Sequence, residues 1–447
     1  MFIMVLISDL GAGILEQTVE QTSSKGLRVS LVKDPSLLFI HAELAVYYSD
    51  ISNPSIPYLT LMSIFDDQTN NPQTGLRNIL FKMGNDYKID YKLDHFIIKI
   101  NFLRSDIKHF VYFLKSLYSY KDFSLKKFNY SIRNFWDLFR KRGEWKQVIA
   151  AQVAFGKLFK QDHSGKFLIS RSKLKNLNLS HIRSFFKNNY ILANSFLTLR
   201  GDIRPYFVFG LIEKVFNNFK NRKPNYGKFK YKRFKNNRKI IIVDINENIS
   251  PCIYWIYPAS SPDKMVHYHN IIANNILFGY PFGRISRNVA ATGIRNFNIT
   301  NLIHYHRNIS ILCNKIRINY KDMEKFIFIA DSTINKFGRG RLNRKEYLDS
   351  YNFIFQKTKI DSDNFEIKAM RKIAESFIGN LKNKVKIFKS NLLKNLNYED
   401  FLKNISGSFG IFNANKNRQE GIIVIFGNAK IIKKYLRIMN KETIKLF

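Results

Sequence analysis

The stretch YILANSFLTLRGD, residues 190–202, decides the fold class. It joins a turn to an apolar strand and ends on Gly201-Asp202, and residues 205–219 then have the spacing of an amphipathic helix. Upstream, residues 26–34 alternate apolar and polar side chains as a half-buried strand does, and residues 38–48 form a second strand. Strands and helices mixed in this order predict α+β layers rather than a helix bundle or a β-sandwich.

The rest of the first half continues the mixed pattern. YLTLMSIF, residues 58–65, has the apolar density of a buried helix, and DHFIIKINFL, residues 94–103, is typical of a strand. Helical spacing follows over residues 107–118 and 123–139.

The second half repeats the pattern of the first. Residues 221–239 contain a proline, a glycine and many basic and aromatic residues, but no aliphatic residue, which is typical of a linker. Strands, a helix over 267–278, strands near 301–316, a helix over 321–336, a helical stretch over 365–395 and a strand GIIVIFGNA follow it. We therefore predict a duplicated chain with a first domain of residues 1–222, a basic linker of 223–239 and a second domain of 240–447.

The charge and the cysteines say less about function. The formal charge of +39 fits attraction to nucleic acid or an anionic membrane, but it equally fits a genome biased towards Lys and Asn codons, and we favour the latter. Cys252 and Cys313 have no paired spacing that would indicate a zinc knuckle or disulfides. Residues 1–15 lack the basic region of a secretory signal, and we expect a cytoplasmic protein, with the periplasm or an organelle matrix left open.

A set of short motifs, each of which is weak evidence alone, occurs along nearly the whole chain in an order that is informative as a set. They are Lys25-Gly26-Leu27, Phe155-Gly156, Gly165, Phe185-Phe186, Tyr190, Asn194, Gly201-Asp202, Ile212-Glu213, Phe216, Asn274 to Gly279 and Phe282-Gly283-Arg284-Ile285. In this order they resemble the pitrilysin and mitochondrial-processing-peptidase family of zinc peptidases.

The resemblance implies an architecture. It implies two homologous α/β-sandwich domains, each a mostly antiparallel sheet with helices packed on one face, which together form one half of a clam-like peptidase. In two-chain versions of such peptidases only one half carries zinc, and a chain of 447 residues equals one half.

The zinc motif of that family, H-x-x-E-H, is missing here. Alignment on Phe65 puts its three positions at Tyr58, Leu61 and Met62, and residues 57–65 contain no His and no Glu. Peptide hydrolysis by a zinc enzyme of this family needs two imidazoles on one helix face to bind the metal, and a carboxylate that takes a proton from the zinc-bound water. We therefore expect no zinc, no cofactor and no catalytic residue.

This chain also differs from the family at the other functional positions. The helix expected to carry the third ligand, a Glu, offers only Asp122 and Asp137 nearby. The substrate-gripping Arg position falls on Ala290, and the Tyr position falls on Asn296 or Phe297. Arg295 is adjacent and remains a weak candidate for substrate binding.

Three further patterns are weak. His304 and His306, two apart in a strand-like segment, would share a face and offer two metal ligands, and His267 and His269 have the same spacing, but neither pair has a third ligand nearby. FGRGRLNRKE, residues 337–346, lacks the Lys-Ser/Thr of a P-loop and indicates a basic turn between helices.

Two functions of different kinds follow. The first is a non-catalytic subunit that pairs with a zinc-bearing homologue to enclose a chamber for extended peptides. The second is a stand-alone peptide-binding or structural homodimer without peptidase activity. Charge-driven nucleic-acid binding ranks below both, and we expect no transmembrane segment.

Overall fold

The structure is a computed structural model in which two compact units each contain one six-stranded sheet. Unit 1 comprises residues 1–145 and 172–229, and unit 2 comprises residues 146–171 and 230–447. The residues described are 17–48, 53–65, 76–84, 87–92, 94–141, 145–160, 168–224, 232–233, 239–245, 250–260, 265–306, 309–338, 342–363, 396–408, 412–413, 418–419, 421–436 and 441–445.

The sheet of unit 1 has six strands. They are β1 (Gln17–Thr22), β2 (Arg28–Lys33), β3 (Phe39–Tyr47), β4 (Tyr87–Tyr91), β5 (His95–Leu103) and β7 (Ser195–Gly201), and they lie in the order β1-β2-β7-β3-β5-β4. All neighbours are antiparallel except β2 and β7. The last strand in the sequence therefore occupies the middle of the sheet.

Helices cover the apolar face of this sheet. They are α1 (Ser55–Phe65), α2 (Leu76–Lys82), α3 (Ile107–Tyr118), α4 (Leu125–Arg133), α5 (Phe135–Lys141), α7 (Arg171–Lys175), α8 (Leu179–Asn189) and α9 (Pro205–Phe216). On β5, Phe96, Ile98, Ile100 and Phe102 alternate towards this face, and each is at most 3% exposed. Phe102 stacks on Phe110 of α3 with ring centroids 4.5 Å apart.

Residues 190–202 connect the last helix layer to the middle of the sheet. Tyr190 ends α8, is buried and stacks on Phe186 at 4.3 Å. Asn194, also buried, donates its side-chain amide to the carbonyl oxygen of Asn189 over 3.1 Å and so closes the turn before β7. At the far end of β7, Asp202 forms an ion pair with Arg104.

Unit 2 contains the second six-stranded sheet. Its strands are β9 (Lys239–Asp244), β10 (Cys252–Ala259), β11 (Phe297–His306), β12 (Ile309–Ile318), β15 (Ile422–Gly427) and β16 (Lys441–Lys445), and they lie in the order β11-β12-β10-β15-β9-β16. Two short pairs accompany it, β6 (Phe159–Lys160) with β8 (Lys232–Arg233) and β13 (Phe412–Asn413) with β14 (Arg418–Gln419).

Six of the described helices complete the core of unit 2, namely α10 (Met265–Phe278), α11 (Arg284–Ala290), α12 (Tyr320–Gly338), α13 (Arg344–Asp363), α14 (Tyr398–Ser408) and α15 (Ala429–Tyr435). Unit 2 also contains α6 (Trp145–Leu158) except for its first residue. Trp255 of β10 and Phe278 of α10 meet at 5.9 Å in this core. A reciprocal pair of 2.9 Å amide hydrogen bonds joins Asn274 of α10 to Asn314 of β12 and fixes the helix against the sheet.

Five strands of the two sheets follow the same plan. In sequence order, β2, β3, β4, β5 and β7 correspond to β9, β10, β11, β12 and β15, with the same neighbours and the same directions. The sixth strands differ, because β1 is antiparallel to β2 whereas β16 is parallel to β9. The predicted fold of two duplicated α+β units with mostly antiparallel sheets is confirmed.

Some elements differ from the sequence prediction. The helix predicted over 123–139 is two helices, α4 and α5, which are separated at Asn134. The helical stretch predicted over 365–395 lies outside the described residues, as does most of the predicted linker at 223–239. Among the helices described, none has the length and apolar character required to cross a bilayer.

Gly201, the last residue of β7, provides a test of this architecture. It has a φ of +153°, and a Cβ at this position would lie 3.0 Å from the Cα of Ile40 on β3. We expect Gly201→Ala to lower the free energy of unfolding by about 1–3 kcal/mol, measured by chemical denaturation. Gly210→Ala is the control, because a Cβ at this helical, exposed position meets nothing within 4 Å. It should stabilise by about 0.5–1 kcal/mol, and equal losses at both glycines would contradict the placement of β7.

Candidate functional site

The helix aligned with the zinc motif, α1, is a core element of unit 1. The side-chain oxygen of Asn53 accepts a 2.9 Å hydrogen bond from the backbone N–H of Ser55, and so satisfies one of the free donors at the start of the helix. All eleven residues of α1, Ser55–Phe65, are buried. It packs against α8 and α4, so no face of α1 is open to solvent.

Tyr58, which the sequence resemblance aligns with the first motif position, lies within an aromatic cluster. Its ring stacks on Tyr91 of β4 with centroids 4.2 Å apart and meets the edge of Phe139 of α5 at 5.1 Å. Phe139 in turn stacks on Phe135 at 5.6 Å. Such ring pairs stabilise by about 0.5–1.5 kcal/mol beyond their buried area. Tyr58 therefore contributes packing at the place where the family has an imidazole.

The other two motif positions are equally deep. Leu61 and Met62 are each 0% exposed, and neither offers a carboxylate or an imidazole. A thioether is a weak ligand for zinc, and an aliphatic side chain cannot take a proton from water. A catalytic zinc also needs an open coordination position for its water, which a wholly buried helix does not supply.

The two carboxylates near the expected third ligand are exposed. Asp122 is 71% exposed and forms an ion pair with Lys127 of α4, and Asp137 lies on the exposed side of α5. Within the described part of the chain, no three His, Cys, Asp or Glu side chains are grouped so that they would hold a metal ion.

The paired histidines face different partners. His267 and His269 lie on α10, and residues two apart on a helix do not face each other. His267 Nδ1 lies 3.1 Å from the carbonyl oxygen of Ser260, and His269 Nδ1 lies 2.9 Å from the side-chain nitrogen of Asn404. Burial lowers the pKa of His269 to about 4, so this side chain is neutral. His304 lies on β11, whereas the side chain of His306 is outside the described residues.

The second-half motif Phe282-Gly283-Arg284-Ile285 connects α11 to α13 through Arg284, and we call this contact the Arg284–Glu346 joint. The guanidinium of Arg284 donates to both carboxylate oxygens of Glu346 on α13, and its Nε lies 3.1 and 3.2 Å from them. Arg287 donates to the same carboxylate over 2.8 Å. Burial by itself would raise the pKa of Glu346, but the hydrogen bonds and charges of the two arginines outweigh it and hold the pKa below its usual value.

The residues aligned with the family's substrate-gripping pair lie at the surface. Ala290 ends α11 and is exposed, and Arg295 and Asn296 are exposed in the turn that leads into β11. Arg295 therefore lies directly before an outer strand of the unit 2 sheet.

A charged row in the unit 1 sheet was not predicted. Lys99 of β5 lies 3.5 Å from Glu43 of β3 and 3.1 Å from Asp90 of β4. All three point to the face opposite the apolar core, and Glu43 is only 2% exposed. The alternation of β3 and β5 contains the signal for this row, since Glu43 and Lys99 interrupt apolar strands at polar-facing positions.

Solved structures of two proteases and of one inactive peptidase domain share this fold. A peptidase M16 inactive domain from Pseudomonas fluorescens superposes with a TM-score of 0.70 and 12% identity, over 92% of this chain and 98% of that one. A protease from Helicobacter pylori gives 0.71 and 12%, over 92% and 100%. The periplasmic protease PqqL from Escherichia coli gives 0.68 and 10%, over 98% of this chain and 51% of that one.

Comparisons of sequence find no relative. No protein-family model matches the chain, and no curated protein matches it. At 10–12% identity the structural likeness establishes the fold alone, and it is the fold of the structures described as M16-like. This fold is the one implied by the resemblance to the pitrilysin family.

The depth of α1 makes a measurable prediction. Leu61→Ala removes a fully buried side chain and should lower the free energy of unfolding by about 2–5 kcal/mol. Leu125→Ala is the matched control, since Leu125 is 64% exposed, and it should change the stability by less than about 0.5 kcal/mol. Chemical denaturation of both variants measures these changes. If Leu61→Ala left the free energy of unfolding unchanged, α1 would not be a core helix.

The Arg284–Glu346 joint predicts a dependence on pH. A carboxylate whose pKa is lower in the folded state stabilises the fold above its unfolded pKa, and this contribution is lost as the pH falls through the folded pKa. Glu346→Gln should therefore cost about 1–3 kcal/mol at neutral pH and lose less stability than the wild type on acidification. Denaturation at a series of pH values measures this, with Glu399→Gln, at an exposed position, as the control. If the free energy of unfolding fell equally steeply with acidification for the wild type and for Glu346→Gln, this prediction would be wrong.

Proposed function

We propose that this chain is a non-catalytic subunit with the M16 peptidase fold, which pairs with a zinc-bearing homologue and helps to enclose a chamber for extended peptides. The observation that carries the proposal is the burial of α1, because Tyr58, Leu61 and Met62, which the sequence resemblance aligns with the three motif positions, all lie in the core of unit 1. The fold is retained, while the chemistry of a zinc hydrolase is absent from these positions.

Two of the structural neighbours support the role of a subunit. One is described as an inactive M16 domain, so the fold occurs without activity. The chain spans about half of PqqL, as expected for one half of a two-half assembly. Cys252 and Cys313 are free and buried, which fits a reducing compartment. The cytoplasm is therefore the compartment we propose, with the periplasm and an organelle matrix as the alternatives.

Metal analysis and affinity purification test this proposal. The chain purified alone should contain far less than one zinc per molecule after incubation with zinc and dialysis, and it should not cleave extended peptides. Purification of a tagged chain from its native cell, after nuclease treatment, should bring down a homologous chain that carries H-x-x-E-H and zinc.

Other results would replace the proposal. One zinc per chain with peptide turnover would make the chain a peptidase. A homodimer that brings down no zinc-bearing chain would support the stand-alone function. Recovery that depends on nucleic acid and is lost at moderate salt would support charge-driven binding.

A further inference from the structure

Five large apolar side chains are exposed at one end of the unit 1 sheet. They lie where the chain enters β3, leaves β5 and follows β7 into α9, and they are Leu38, Phe39, Leu103, Tyr206 and Phe207. Leu38 and Tyr206 are 83% and 78% exposed, so these two side chains protrude from the surface. We call the five residues the apolar tip.

The pairing of the strands places the apolar tip at a single end of unit 1. Phe39 begins β3 and lies opposite Leu103, the last residue of β5. β7 is antiparallel to β3, and a Cβ on its last residue, Gly201, would lie 3.0 Å from the carbonyl oxygen of Phe39. Tyr206 and Phe207 follow in the first turn of α9. Side chains on a helix lean towards its N-terminus, which here is the same end.

The charges around the apolar tip are mostly positive. Three carboxylates at this end each face a basic side chain, in the pairs Asp34–Arg200, Asp202–Arg104 and Asp106–His109. Lys33 at the end of β2, Lys108 in the first turn of α3 and Arg204 before α9 are exposed and take no part in these three pairs. The apolar tip therefore has an excess of positive charge beside it.

Apolar side chains that protrude from a basic surface match the chemistry of an anionic membrane. Leu and Phe side chains enter the boundary between the headgroups and the acyl chains, while Lys and Arg attract the anionic headgroups. Tyrosine suits this boundary, because its ring is apolar and its hydroxyl stays hydrated. Single exposed apolar residues are normal on a protein surface, but a contiguous group rimmed by polar residues marks an interaction site.

We propose that the apolar tip inserts into the headgroup boundary of an anionic membrane and attaches the chain to its surface. The net charge of +39 does not carry this inference, since it is spread along the chain, whereas the apolar tip is confined to one end of one unit. A second copy of the chain fits less well as the occupant, because two copies joined through this end would bring Lys33, Lys108 and Arg204 close to the same cations of the other copy.

The attachment goes beyond the proposed function and does not depend on it. Zinc content and the co-purified chain test the proposed function without any membrane, and vesicle binding tests the apolar tip without any partner. Either proposal can therefore fail alone.

Sedimentation of the full chain with vesicles tests the role of the apolar side chains. The anionic vesicles are phosphatidylcholine with about a third of phosphatidylglycerol, and they should bind the chain more tightly than vesicles of phosphatidylcholine alone. Leu38→Gln with Tyr206→Gln leaves the net charge unchanged and should weaken binding to the anionic vesicles by about tenfold or more.

Leu125→Gln with Phe328→Gln is the matched control, because these residues are 64% and 68% exposed at other places in the fold. This pair should bind the anionic vesicles as the wild type does. Equal losses for the two pairs, or no loss for Leu38→Gln with Tyr206→Gln, would overturn the proposal, as would equal binding of the wild type to both kinds of vesicle.

Charge reversal tests the basic surroundings of the tip. Lys33→Glu with Arg204→Glu should weaken binding to the anionic vesicles by about tenfold or more, since each cation near the membrane surface adds to the attraction. Lys430→Glu with Lys433→Glu changes the net charge equally at exposed positions of α15 and should have a much smaller effect. Equal losses would mean that binding follows the overall charge, which contradicts a site at the tip.

A fluorescent label tests insertion itself. Cys252 and Cys313 are buried, so a thiol-reactive dye that is sensitive to polarity should label Leu38→Cys at position 38. Its emission should shift to shorter wavelength when the anionic vesicles are added, whereas the dye on Leu125→Cys should not respond. A labelled chain that sediments with the vesicles without this shift would show that the tip stays in water, and the proposal would be wrong.

Two other occupants of the tip give different results. Residues 1–15 contain one charged residue, Asp9, and vesicle binding that occurs only after their removal would mean that this segment occupies the tip. A chain that ignores the vesicles and forms a concentration-dependent dimer, which Leu38→Gln with Tyr206→Gln disperses, would have a second copy there. Either result overturns the proposal.

Discussion

The placement of a late strand between two early ones is the constraint on which the structure depends. β7 lies between β2 and β3, so the unit 1 sheet is complete only when residues 195–201 pair with segments about 150 to 170 positions earlier, as the pairing of Glu43 with Thr198 shows. β15 does the same between β9 and β10 in unit 2. Pairings this distant in sequence are slow to form and cost chain entropy before they stabilise. The turn formed by Tyr190 and Asn194 and the close approach of Gly201 to Ile40 hold β7 in place for this pairing.

The two helices that occupy equivalent places on the two sheets bury different kinds of side chain. α1 and α10 occupy equivalent places after the second strand of each five-strand plan. The buried polar side chains of α1 are the hydroxyls of Ser55, Thr60 and Ser63, whereas α10 buries His267, His269, Asn270 and Asn274. Buried polar groups are tolerated when they are hydrogen-bonded, and the amide pair between Asn274 and Asn314 shows how α10 meets that demand. Thus the same place in the plan supports a helix that buries only hydroxyls and one that buries imidazoles and amides.

Much of the fold could be predicted from the sequence, because strand alternation and helical spacing are local signals. β2, β3, β5, β7 and the repeat in the second half follow from such patterns. The edge strands β1, β4 and β16 were missed, since each has only five or six residues, and even the alternation of β4, YKIDY, is too short to stand out. The break at Asn134 was missed because the apolar spacing of α4 and α5 continues across it. These failures are at the margins of the sheets and at a helix junction, where long-range packing decides.

The candidate site was predictable only in part. The absence of His and Glu from residues 57–65 could be read directly. The burial of α1, the ring contacts of Tyr58 and the row of Glu43, Lys99 and Asp90 depend on contacts between distant strands and helices. Sequence spacing places a residue on a face, but it does not show what covers that face.

The burial of α1 has an evolutionary consequence. A metal site gives affinity only when its ligands are present together, so any one ligand introduced at Tyr58, Leu61 or Met62 would lose packing and gain nothing. Intermediates on a path towards a zinc site would therefore be less stable than either end. Selection for a folded chain alone is enough to keep these three positions apolar or aromatic, whatever the protein binds.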